Sequence, residues 1–341
     1  MKQDAGYAGI DTFRIIAAFL VVAIHTYPLV SVSETGDFIL TRILGRVAVP
    51  FFFMATGFFL LPRYMDEKRG DGGSLAKFFV KSCKLYGMAI LLFLPVNVYA
   101  GYFETTPLLP NLLKDIFFDG TFYHLWYLPA TILGAGLVYL LLRSCKTGVV
   151  ALIAGLLYMI GLGGDSYYGL TSQVPLFAQF YDVLFSFSDY TRNGLFFAPV
   201  FLLLGGLIAR QTSGFGLRES MGGLAVSLLL LLSEGLLLHH FSLQRHDSMY
   251  VMLLPCMFFL FQSLLLWRGK SSRSLRTISM IVYIIHPLAI IVVRGFAKIA
   301  KMQPLLIENS IVHYVAVAAL SFAGAILLTK LLQRKRERKI V

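Results

Sequence analysis

Apolar residues along this chain fall into long unbroken runs separated by short polar links. Windows near the roughly 20 residues that carry a helix across a bilayer recur about ten times, at 9–30, 38–61, 84–103, 124–142, 147–164, 194–210, 220–238, 249–267, 276–297 and 310–332. In hydrocarbon only a helix or a closed barrel satisfies every backbone N–H and C=O, and these runs lack the period-two alternation of barrel strands. The pattern predicts an all-α, polytopic transmembrane bundle of about ten spans. The window at 147–164 is short and rich in Gly.

The links predict little folded structure outside the membrane. Arg63 to Lys84 is a Gly-rich turn followed by a basic amphipathic piece, Leu75 to Lys84, expected on the inner membrane surface. Glu104 to Tyr123 and Asp165 to Asn193 read as outer loops rich in aromatic and acidic residues, able to cap a cavity. No link is long enough for a separate domain and no internal repeat stands out, so residues 1–341 read as one transmembrane domain with a basic tail at 333–341.

Composition supports lipid as the solvent. The 341 residues are 57% hydrophobic and include 29 Phe, more apolar surface than one soluble core hides. A net charge of +12 raises nucleic acid as a partner, but the charges are distributed as a topology signal instead. With the N-terminus in the cytoplasm, 21 of the 30 Lys and Arg fall on the inner side and six on the outer side. That excess predicts both termini on the cytoplasmic side of a cell membrane, with anionic lipid contact as an addition. Cys83, Cys145 and Cys256 form no disulfide framework and read as free thiols. The first apolar segment lacks a small-residue cleavage site and is expected to stay as helix one.

Ionisable residues inside apolar runs are the candidate chemistry, because they are costly in lipid. Arg14 and His25 are eleven positions apart, close to three helical turns, and share one face at a separation of about 16 Å. Asp11, three residues before Arg14, is a partner for it at the inner mouth. Helix two carries Arg42 and Arg46. Pro50, which has no N–H, frees the carbonyl of Arg46 and permits a kink. Thr56 and Gly57 form a small pair suited to close helix approach, a packing role being the commoner explanation. His124, Trp126 and Tyr127 fit an aromatic belt as well as a binding surface. Glu234 is the one acidic residue deep in a span, and His25 or Arg46 is its expected partner. His286, before Pro287, suits a satisfied core group or a functional one equally. No metal-ligand spacing, phosphate-binding P-loop or Gly-x-Ser-x-Gly elbow accompanies them.

Together, Arg14 followed after ten residues by His25, "RVAVPFFFMATGFFL" from Arg46, "HLWYLPATIL" from His124 and "YIIHPL" around His286 resemble the acyltransferase family 3 membrane proteins, from about Gly9 to Leu332. The family's usual Ser-Gly is Thr56-Gly57 here, which keeps a hydroxyl. The first two helices look like the membrane part of vancomycin-resistance serine racemases, where a pyridoxal-phosphate racemase domain follows in the cytoplasm. The resemblance implies transfer of an acyl group, usually acetyl, from cytoplasmic acyl-CoA (acetyl-CoA) to a hydroxyl on an extracytoplasmic small-molecule or cell-envelope acceptor. His25 would be the general base, with Arg14 and Glu234 assisting and Arg42, Arg46, Thr56, His124, Trp126, Tyr127 and His286 contacting substrate. It implies no metal and no pyridoxal phosphate held by this chain. The alternative is L-serine binding and uptake, with Arg46 or Arg42 on the carboxylate and Glu234 on the ammonium. Expected partners are the bilayer, a second copy of the chain or a cytoplasmic racemase domain, and not nucleic acid.

Overall fold

A computed structural model describes residues 6–65, 72–212 and 214–337. The Gly-rich turn of the basic link and the end of the basic tail, residues 66–71 and 338–341, lie outside them. The principal helices are α1 (Ala8–Thr26), α2 (Ala48–Leu60), α3 (Gly72–Tyr99), α4 (Tyr127–Ser144), α5 (Thr147–Gly163), α6 (Pro175–Phe187), α7 (Ala198–Ala209), α8 (Leu217–His240), α9 (Leu253–Leu266), α10 (Arg273–Ile299) and α11 (Ser310–Glu337). Seven helical stretches among the described residues are long and apolar enough to cross a membrane, and α5, α7 and α9 are shorter apolar helices. The chain is therefore an all-α, multi-span membrane protein.

Two sequence expectations are corrected. The amphipathic piece at 75–84 and the span at 84–103 form one helix, α3, because no Gly-Pro break separates them; Lys77, Lys81 and Lys84 share an exposed face of its first half. The expected outer loop at 165–193 contains α6, a helix too short to register as a span.

The contacts divide the chain into two compact units: Met1–Val49 with Phe215–Leu232 and Pro255–Val341, and Pro50–Gly214 with Ser233–Leu254. In the first, α1, α10 and α11 pack pairwise around Ala18, Val22, Val282, Ala289 and Ala318. Small residues at these contacts let backbones approach where lipid offers no hydrophobic drive between helices. The Phe19 and Phe322 rings stack at 4.1 Å. The start of α1 is pinned by a bond from the Gly9 N–H to the Trp267 carbonyl, and a Cβ on Gly9 would lie 2.3 Å from the Leu264 carbonyl oxygen.

In the second unit α4, α5 and α7 pack together, and α2 crosses α7 through two glycines. A Cβ on Gly57 would lie 1.8 Å from the Leu202 carbonyl oxygen, and one on Gly205 2.1 Å from that of Met54. Both obstacles are backbone, so no rotamer change relieves them. The Thr56 hydroxyl donates to the Phe52 carbonyl one turn back, at 2.9 Å, which satisfies it within the helix. Gly57→Ala or Gly205→Ala should lower stability by about 1–3 kcal/mol. Gly155→Ala, where the added Cβ meets nothing within 4 Å, should be neutral or slightly stabilising. Thermal unfolding of the three purified variants in detergent checks this, and equal melting temperatures would refute the crossing.

Candidate functional site

Each unit contains a group of the expected residues. In the first unit, α1 ends one residue after His25. Tyr27 precedes Pro28, a position that disfavours the α region, and it turns to the left-handed region at φ 51°. Its N–H still bonds the Ala23 carbonyl, closing the helix. The His25 ring stacks on that of His286 in α10, with centroids 5.1 Å apart and planes 26° from parallel.

Pro287 explains how His286 is held. Lacking an N–H, it leaves the Tyr283 carbonyl without its helical donor. Nδ1 of His286 lies 2.9 Å from that carbonyl and 3.2 Å from that of Val282. Both are acceptors, so Nδ1 carries a hydrogen. His286 itself is fully buried.

Ahead of α2 the chain is helical but irregular: a π segment at Phe38–Ile43 passes into a 3-10 turn at Leu44–Val47. Both pack on α1. Gly45 lies against Ile24, the neighbour of His25, with 3.0 Å from its added Cβ to that side chain. Arg42 donates to the Tyr27 hydroxyl at 3.1 Å and holds its guanidinium carbon 5.2 Å from that ring's centre. Arg46 lies half-buried in the 3-10 turn. His25, His286, Arg42 and Arg46 thus lie on elements packed about the end of α1.

Arg14 is at the other end of α1, where its Nε is 3.8 Å from Asp11. Asp11 also accepts from the Ser272 N–H at 2.7 Å and lies 3.6 Å from Arg276, fastening the start of α1 to the start of α10. The expected Asp11–Arg14 contact is present, with α10 as a further partner that no spacing along the sequence discloses.

In the second unit, the Trp126 and Tyr127 rings lie 6.5 and 5.0 Å from Phe53. His124 is buried among Phe93, Phe122 and Tyr123. Glu234 accepts three hydrogen bonds within this unit: from the Tyr167 hydroxyl at 2.7 Å, the Val251 N–H at 2.7 Å and the Met252 N–H at 2.8 Å. Its carboxylate is thus stabilised by neutral donors. His25 and Arg46, its expected partners, belong to the other unit.

The structure adds residues that sequence reading missed. Arg192 lies over Tyr190 at 4.1 Å and Trp126 at 5.2 Å and donates to the Ser248 hydroxyl. Asp165 is fully buried. Its Oδ1 accepts from the Ser248 and Met249 N–H groups and the Ser166 hydroxyl, tying the end of α5 to the segment before α9. Burial pushes the Asp165 carboxyl up to about 6, against the pull of those N–H groups and of the Arg192 charge. Burial, with the charges of Arg192 and Arg245, holds His246 down to about 4. Asp165 and Arg192 are 27 positions apart in what reads as a loop, so only a faint signal, charges of opposite sign among aromatic residues, marks them beforehand. Among the described residues no group of three or more His, Cys, Asp or Glu is placed to hold a metal ion.

Buried histidines and half-buried arginines among apolar helices describe a membrane protein with embedded polar groups. The profile of the family described as an acyltransferase domain, acyltransferase family 3, matches residues 7–330, and the chain belongs to this family. Among curated proteins it is 47% identical over 341 residues, 99% of its own length, to an amino-acid racemase of Enterococcus faecalis, and 42% identical to another racemase of that description from the same organism. It is 37% identical over 320 residues, 92% of its length, to a serine/alanine racemase of Enterococcus gallinarum. The matches cover 47%, 48% and 44% of those relatives, so the chain spans about half the length of the proteins it resembles. No solved structure matches it.

Asp165 gives a pH test of the cluster. Its raised pKa means that the folded state binds the proton more tightly than the unfolded state. Its contribution to stability should decline, by about 3 kcal/mol in all, as pH rises from near 4 through about 6, and level off roughly one unit above that. Asp165→Asn keeps an oxygen for the two N–H donors and should remove that part of the slope. Asp119, also raised to about 6 by burial, leaves a residual slope of the same sign. Melting temperatures across this range check it; an unchanged slope in the variant would exclude Asp165 as its source.

Proposed function

We propose that this chain is the membrane part of an amino-acid racemase system, binding an amino acid such as L-serine and admitting it to a racemase on the cytoplasmic side. The observation that carries the reading is the match itself: nearly the whole chain aligns with about half of proteins described as amino-acid or serine/alanine racemases. In this reading α5, α7 and α9 also span, both termini are cytoplasmic, and pyridoxal phosphate belongs to the racemase part. Arg46 or Arg42 would take the substrate carboxylate within the first unit.

Family membership and the His25–His286 stack favour a second reading, acyl transfer from acetyl-CoA to an extracytoplasmic hydroxyl. His25 would take the proton of the attacking hydroxyl, and Arg14 would guide the anionic donor. Thr56, His124, Trp126 and Tyr127 in the second unit, and separately His286 in the first, would be the acceptor-contacting residues of that reading.

Purified protein in liposomes distinguishes the two. Radiolabelled L-serine should enter without any acyl-CoA, and Arg46→Gln should reduce entry at least tenfold in a variant that elutes as folded protein. Acetyl-CoA turnover that disappears in His25→Ala, with no serine entry in the wild type, would overturn the uptake reading in favour of acyl transfer.

A further inference from the structure

We propose that α6 is an interfacial helix whose apolar face is seated in the boundary between headgroups and acyl chains of the bilayer that the chain spans. At thirteen residues it is about 20 Å long, too short for a hydrocarbon core of about 30 Å. Its residues separate into three sectors at about 100° per residue. Leu176, Phe177, Phe180, Val183 and Phe187 fall within one sector and are 72%, 48%, 46%, 63% and 67% exposed, although each is large and apolar. Gln179, Asp182 and Ser186 form a second, polar and exposed sector.

The third sector docks on the protein. Tyr181 is 4% exposed and donates its hydroxyl to the Ile160 carbonyl of α5 at 2.7 Å. Its hydroxyl oxygen would lie 2.3 Å from a Cβ on Gly163, so that glycine makes room for it. The docking point fixes the depth. It is the last turn of α5, an apolar helix whose Leu152, Leu156 and Met159 are 63%, 55% and 59% exposed and, by helical spacing, lie on the stripe that ends at Gly163. A helix fastened where that lipid-facing surface ends lies at the edge of the membrane. There, an apolar sector and a polar one on a single short helix are both satisfied. Exposed apolar residues both on the α5 stripe that leads to the docking point and on α6 itself select lipid as the occupant, because a soluble partner on α6 alone would leave the α5 stripe uncovered. The inference depends on the chain being a membrane protein and on neither reading of its function.

Tryptophan quenching in liposomes tests it on the full chain. Phe180→Trp and Val183→Trp are compared with Asp182→Trp, after subtraction of the wild-type signal from Trp126 and Trp267. Phospholipids brominated along the acyl chain should quench the first two roughly threefold or more over the third, at every protein-to-lipid ratio. Equal quenching at positions 180 and 182 would overturn the proposal. So would quenching at 180 that fades as protein-to-lipid ratio rises, which would put a second copy of the chain on this face. Either apolar position suffices if the other variant fails to fold.

Discussion

A polar group in hydrocarbon has no water to fall back on, so each one must find its partner inside the protein. That constraint organises the described structure. Where Pro287 strips the Tyr283 carbonyl of its donor, the neighbouring His286 ring supplies one. Hydroxyls on the helices return to the carbonyl four residues earlier: Thr26 to Val22, Thr56 to Phe52, Ser321 to Val317 and Thr329 to Ala325. Carboxyl groups follow the same rule. Asp11 accepts one backbone N–H, and Asp165 and Glu234 two each, from a separate stretch of chain, and each thereby fastens one helix end or turn to another.

These fastenings connect folding with function. A proline that removes one bond from the ladder of α10 also orients an imidazole, through the carbonyl that it frees. The Glu234 carboxyl group is held by three neutral donors of its own unit, which ties the segment before α9 to α8. The two units hold different resources: imidazoles and arginines around the end of α1 in one, and an aromatic-lined guanidinium with a carboxylate in the other. Binding a zwitterion and activating a hydroxyl draw on these same residue types, which is why family membership alone does not choose between uptake and acyl transfer.

Much of this was legible in the sequence. Hydropathy runs specified an all-α membrane protein, because backbone satisfaction in lipid leaves no other open arrangement for such runs. The i, i+3 spacing of Asp11 and Arg14 announced their contact, and the Gly57 position announced a close helix crossing, since both are local consequences of helical geometry. Pro287 announced a freed carbonyl. The sequence did not identify its acceptor's new partner, although the histidine stood next to it.

What the tertiary structure alone decided is which distant residues meet. The stacking of His25 on His286, the three donors to Glu234, and the gathering of Asp165, Arg192 and Ser248 join positions tens to hundreds of residues apart, and helical periodicity carries no information about contacts between helices. The same holds for α6. Its three-sided pattern is present in the sequence, but only the docking of Tyr181 on α5 shows which side faces protein and which apolar side is left for lipid. The physical reason is common to all of them: hydrophobicity fixes which segments leave water, whereas the pairing of polar groups depends on where packing brings their helices together.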